Sequence, residues 1–182
     1  MNQPSYFLAI ALSKEAKQAI AEELKRLDQS LFKKWVHPAD FHMTLHFLGS
    51  ATEEKLETYI KMCRGLTETF EPFTLTLGDE GIFGPAEKPR ILWIGTKPSD
   101  TLETQQRQLT ASLKNAGFSV DKRTFSPHIT VARSWQREYR YQPTKLQPSV
   151  NFRVGNYTLY RSHMNATPKY ESVLSFPLRG RA

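Results

Sequence analysis

The chain has 182 residues, enough to bury a core without disulfides or metals, and its 39% hydrophobic and 24% charged residues exclude the disordered and fibrous classes. Its net charge of +7 suits anionic partners such as nucleic acid or nucleotides. The single cysteine, Cys63, excludes an intramolecular disulfide and a Cys-rich zinc site, and fits a reducing compartment.

The run Tyr6 to Leu12 is short and apolar and reads as a buried strand. It falls far short of the roughly 20 residues that span a bilayer, and no basic residue precedes it as in a secretory signal. The expectation is a cytoplasmic protein with no membrane association. Ser13 is placed to cap a helix that carries Ala16, Ile20, Leu24, Leu27 and Leu31 at helical spacing. After Trp35-Val36 and a turn at Pro38-Ala39-Asp40, residues 41–48 form a second strand. Thr52 caps the next helix, whose apolar face is Leu56, Tyr59, Ile60 and Cys63.

A strand at Phe73 to Leu77 follows, then a Gly- and Pro-containing loop from Gly78 to Pro89 and a strand at Ile91 to Ile94. Asp100 and Glu103 have capping-box spacing before a helix carrying Leu102, Leu109 and Leu113, which Gly117 closes. His128 to Ala132 is a strand. A polar, basic loop from Ser134 to Pro148 precedes two last strands, near 152–160 and 173–178. In each half an apolar strand, an amphipathic helix and a histidine-bearing strand recur in that order. The expectation is an α+β fold, a single bilobal domain over 1–182 with two similar αβ lobes facing a central cleft.

His42-Met43-Thr44-Leu45 recurs as His128-Ile129-Thr130-Val131. By strand alternation Phe41, Met43, Leu45 and Phe47 face the core, leaving His42, Thr44 and His46 on the open side. In the second copy Pro127, Ile129 and Val131 face the core, and His128 and Thr130 face out. If the lobes face each other, two imidazoles and two hydroxyls converge. Near neutral pH one imidazole can be neutral and the other protonated, which in-line displacement at phosphorus needs. One ring takes a proton from water and the other gives one to the departing ribose oxygen. The threonines can hydrogen-bond the non-bridging oxygens, aided by a cation.

The doubled His-x-Thr-x motif, one per half, resembles the two-histidine phosphoesterase superfamily, and more closely its RNA 2′,3′-cyclic phosphodiesterases, also described as 2′-5′ RNA ligase-like proteins. The stretches from His42 to Gly49, Gly81 to Phe83, Pro89 to Gly95, Ser126 to Arg133 and Tyr170 to Leu178 carry the resemblance over nearly the whole chain. It implies two αβ lobes with antiparallel sheets around a cleft, and hydrolysis of a terminal 2′,3′-cyclic phosphate to a 2′-phosphate. It makes His42 the proton donor and His128 the acceptor, with Thr44, Thr130 and Arg133 as phosphate ligands. His46 stands where the family often has a lysine or arginine, as a further candidate substrate contact. Pro168 replaces a usual glycine, and Val131 a commoner leucine.

Rival readings are a 2′-5′ ligase acting on tRNA halves through the same histidines, and an RNA-binding module without turnover. His42 and His46 have zinc-pair spacing for a helix, but on a strand they stand about 13 Å apart. Neither metal nor cofactor is expected, and the protein is expected to act as a monomer. Trp35, Trp93 and Trp135 read as packing residues. Trp135, Tyr139 and Tyr141, beside Arg137 and Arg140, are also candidates for stacking on RNA bases.

Overall fold

The apolar run near the N-terminus becomes β1 (Ser5–Ala11), the buried centre of one lobe, in a computed structural model that describes residues 3–181. Helix α1 (Lys14–Leu24) starts where the Ser13 side chain accepts the Ala16 N–H, and it buries Ala16, Ile20 and Leu24. It stops short of the stripe that Leu27 and Leu31 continue. Asp28 instead accepts the Ser30 N–H and opens a 3-10 turn, Gln29–Leu31, which leads into β2 (Phe32–Trp35). A second 3-10 turn, Pro38–Asp40, precedes β3 (His42–Ser50). Thr52 caps α2 (Glu53–Thr69), which buries Tyr59, Cys63 and Thr67.

In the other lobe β4 (Phe73–Phe83) runs well past Leu77, pairing with β5 (Ile91–Thr96) through the segment expected as loop. Gly81 permits this, because the Trp93 indole lies directly on its Cα. Helix α3 (Asp100–Asn115) is capped by Ser99, one residue before the expected Asp100. Gly117 at φ 88° terminates it as expected. β6 (Ile129–Trp135) is followed by the long loop. The single strand expected at 152–160 is two, β7 (Asn151–Val154) and β8 (Asn156–Ser162), before β9 (Tyr170–Pro177).

The strands follow the order β7-β4-β5-β6-β3-β1-β8-β9, with β2 on β6, and every pairing is antiparallel. Strand pairing between the two lobes is confined to one residue pair, Met43 with Ile129, because β6 gives the rest of that edge to β2. Each lobe is completed from the other end of the sequence. β2 joins the β6 lobe, and around Gly155 the chain crosses from β7 on that lobe to β8 and β9 beside β1. Helices α2 and α3 cover one face of the sheet: Tyr59 of α2 bonds His46, and Gln105 of α3 accepts the Tyr157 hydroxyl. The opposite face carries His42 and His128. Among the described residues no helix is long and apolar enough to cross a membrane.

Candidate active site

The seam fixes the arrangement of the two motifs. Because Met43 opposes Ile129 in antiparallel register, His42 stands level with Thr130, and Thr44 with His128. The histidines are therefore diagonal neighbours, with Cα atoms on the order of 8 Å apart. A local two-fold axis runs through the Met43–Ile129 pair and relates one His-x-Thr to the other.

Both imidazoles are anchored alike. Nδ1 of His42 lies 2.7 Å from the Asp40 carbonyl, and Nδ1 of His128 lies 2.7 Å from the Ser126 carbonyl. A carbonyl oxygen only accepts, so each Nδ1 carries a hydrogen and each Nε2 is the atom that exchanges protons. Nε2 of His42 is 3.1 Å from the Thr44 hydroxyl.

Aromatic rings hold both histidines. His42 packs on Phe7 and edge-on to Tyr170, with ring centroids 4.8 and 5.0 Å away, and Tyr160 lies at 6.1 Å. His128 meets Phe83 edge-on at 4.8 Å, with Trp93 at 6.4 Å. Strand alternation marks these rings as hydrophobic and gives no sign that they line the site. Burial pushes both imidazoles below their ordinary value. The Asp40 carbonyl and carboxylate pull His42 back up, while His128 and Arg133 push it down. His128 is raised by its Ser126 bond and lowered by Arg133 and Arg123.

Arg133 thus acts on both histidines, although odd-numbered residues of β6 begin on the core side. A β-bulge explains this. Leu92 pairs with Ala132 but Trp93 pairs with Thr130, so Val131 is the extra residue and Arg133 turns to the histidine face. The same device acts in β3. Ala9 pairs with Thr44 but Leu8 pairs with His46, so Leu45 is extra.

That bulge overturns two expectations. His46 leaves the open face and is only 8% exposed. Its Nε2–H donates to the Ser119 carbonyl at 2.8 Å, and its Nδ1 accepts the Tyr59 hydroxyl at 2.9 Å. Both ring nitrogens are occupied by the core, which removes His46 as a substrate contact and as a metal partner of His42. Phe47, expected in the core, is 64% exposed on the open face. Of the three candidate stacking residues in the loop, Trp135 and Tyr141 are buried and only Tyr139 is exposed. Arg137 and Arg140 are paired with Asp28 and Glu87.

Asp40 carries no motif signal, yet it is 7% exposed and its carboxylate accepts the backbone N–H groups of Lys169 and Tyr170 at 2.8–3.1 Å. It ties the start of β9, and with it the Tyr170 ring, to the residue that anchors His42.

A family model described as LigT-like phosphoesterase matches residues 10–93 and again 94–170, one match per histidine motif. A protein of Geobacillus stearothermophilus described as an RNA 2′,3′-cyclic phosphodiesterase is 40% identical over 99% of this chain, which spans 59% of that protein's length. A Bacillus subtilis protein of the same description is 31% identical, over 97% of each chain. Among solved structures, the TT0787 protein of Thermus thermophilus aligns with a TM-score of 0.85 at 25% identity, over 98% of this chain and all of that one. E. coli LigT complexed with 3′-AMP aligns at 0.80 with 26% identity, over 97% of this chain and 99% of that one.

Proposed function

The chain belongs to the LigT-like phosphoesterase family, and from that premise we propose that it hydrolyses the 2′,3′-cyclic phosphate at the end of an RNA, leaving a 2′-phosphate. The observation that carries the proposal is the diagonal histidine pair across the Met43–Ile129 seam, with each Nδ1 fixed on a carbonyl and each Nε2 left to exchange protons.

With the phosphorus between the rings, Nε2 of His128 takes a proton from water as the water oxygen bonds to phosphorus. The bond from phosphorus to O3′ breaks on the opposite side, and O3′ leaves with the proton of the His42 Nε2. One P–O bond forms, one breaks, and one proton enters as one leaves. The Thr44 and Thr130 hydroxyls donate to the non-bridging oxygens, and Arg133 supplies the countercharge. The Asp40 carboxylate favours the protonated form of His42, against burial and the charges of His128 and Arg133. The side-chain charges acting on His128 are all cationic, and that difference supports His42 as donor and His128 as acceptor. The relatives' description supports an RNA end as the substrate; ends such as tRNA halves fit the same chemistry.

The test is incubation with one 2′,3′-cyclic mononucleotide, with phosphorus NMR separating 2′- from 3′-phosphate. A 2′-phosphate product is expected. His42→Ala and His128→Ala should each lower kcat by about 10²- to 10⁴-fold with the fold intact, and EDTA should leave the rate unchanged. Full activity in either variant defeats the reading.

A further inference from the structure

Arg133 is paired directly across the β6–β2 ladder with Lys34. Directly opposed residues of an antiparallel pair share a face, with Cβ atoms about 4.5–5.5 Å apart, and like charges so placed repel. Lys34 therefore stands beside Arg133 on the histidine face. Both side chains are exposed, and among the described residues neither has a carboxylate partner. Other arginines of this lobe are balanced: Arg123 pairs with Asp121, Arg137 with Asp28 and Arg140 with Glu87. Two adjacent cations left open on one face form a site that an anion completes.

Position says which anion. β2 and β3 take successive stretches of the same β6 edge, so Lys34 lies in line with His42. Lys34 is level with Arg133 and His42 with Thr130, a separation of about 7–10 Å at strand rise, with one residue between them bulged. The side-chain charges acting on the two imidazoles are those of Asp40, His128, Arg133 and Arg123, so the Lys34 ammonium stands outside the reacting centre. In the proposed reaction O3′ departs toward His42. The ribose and its 5′ oxygen therefore lie on the His42 side of the phosphorus, the side on which Lys34 stands.

We infer that Lys34 binds the phosphate on the 5′ oxygen of the terminal nucleotide, the link to the rest of the RNA, while Arg133 holds the cyclic phosphate. The inference deepens the phosphodiesterase reading and rests on it. An ammonium is a compact point charge that meets a phosphate oxygen without a fixed plane. A backbone phosphate carries no sequence information. The contact would therefore favour RNA ends over nucleosides that bear only the cyclic phosphate, whatever the base. Lys33 is exposed on the same strand and alternates to the other face, which makes it the control.

The experiment compares Lys34→Gln, Lys34→Arg, Lys33→Gln and unaltered protein on one nucleoside 2′,3′-cyclic phosphate, with and without a 5′-phosphate. Binding of the nucleoside 2′,5′-bisphosphate and 2′-phosphate is measured in parallel by calorimetry. One single-strand phosphate contact changes log K by about 0.7 per tenfold salt, so its loss costs about fivefold at 0.1 M relative to 1 M. Lys34→Gln should therefore lower the kcat/KM preference for the 5′-phosphorylated substrate about fivefold at 0.1 M salt, through KM, and flatten its salt dependence. Lys34→Arg should keep the preference, and so should Lys33→Gln. The melting temperature of Lys34→Gln should hold or rise, since a like-charge pair is relieved. Equal losses on both substrates would assign Lys34 to the reacting phosphate and overturn the inference. An unchanged preference, or the same fall in Lys33→Gln, overturns it too. If the unaltered protein turns over neither substrate, the phosphodiesterase reading fails. A selective loss of bisphosphate binding in Lys34→Gln would still sustain the phosphate contact.

Discussion

The Asp40 carbonyl accepts the Nδ1–H of His42 at 2.7 Å, while the carboxylate of the same residue sits buried against the backbone that carries Tyr170. One residue therefore orients His42, charges its surroundings and holds the ring beside it. The other ionisable groups near His42 are His128, Arg133, Tyr160 and Tyr170, and Lys17 stands beyond Asp40 with its ammonium on the Ala39 carbonyl. Asp40→Asn keeps the backbone anchor and removes the negative charge, so the His42 pKa falls further. The acid form is then lost at lower pH, and the basic limb of kcat/KM moves toward acid while the acidic limb, owed mainly to His128, moves little. The limbs belong to the coupled pair, so NMR titration of the His42 ring should accompany the kinetics. A purely structural Asp40 would lower the melting temperature and leave the basic limb in place.

Arg133 lowers both imidazoles and is the proposed phosphate ligand. Arg133→Gln should cost about 1.5–3 kcal/mol of transition-state stabilisation, the worth of a hydrogen bond to a charged group. Both histidine titrations should rise. Loss of rate with unmoved titrations would place the guanidinium away from the rings.

The two β-bulges mark where strand alternation stops predicting this protein. Up to Thr44 and Thr130 the period of two places each side chain on its observed face. One extra residue then inverts the alternation, exchanging His46 for Phe47 in β3, where a second bulge at Leu48 follows, and turning Arg133 outward in β6. Leu45 and Val131 are ordinary strand residues, so nothing local announces the inversion. Arg133 is reached through resemblance, which carries the bulge implicitly, while counting along an unbroken strand puts His46 on the wrong face. The helices are legible because their caps and apolar stripes are local. The crossing at Gly155 and the joining of β2 to β6 are not, since both are choices between distant edges.

His46 supplies a prediction about stability rather than rate. Burial lowers its pKa, so the native state resists the proton that the unfolded chain accepts near pH 6.5. Its contribution is complete above that pH and declines as the pH falls below it. His46→Leu should leave the Tyr59 hydroxyl and the Ser119 carbonyl unpaired at a cost of about 1–3 kcal/mol. It should also flatten the acid dependence of stability between pH 7 and 5, with kcat changed only a few-fold. Urea unfolding across that range, with assays on the folded variant, measures both. A collapse of kcat/KM at unchanged stability would return His46 to the site.

Gly81 tests the packing beneath His128. A Cβ there would lie 2.1 Å from Cζ2 of Trp93 and 2.3 Å from Cη2, so the indole must move. Trp93 packs against Phe83, and Phe83 meets His128 edge-on, so displacement passes to His128. Gly81→Ala should destabilise by about 1–3 kcal/mol, as overpacking does, and lower kcat on a mononucleotide more than it raises KM. Gly65, inside α2, is the control: its added Cβ would meet nothing within 4 Å. Gly65→Ala should stabilise by about 0.5–1 kcal/mol through helix propensity and leave the kinetics alone. If Gly81→Ala loses stability but keeps full kcat, the Trp93–Phe83 layer supports the sheet and does not position His128.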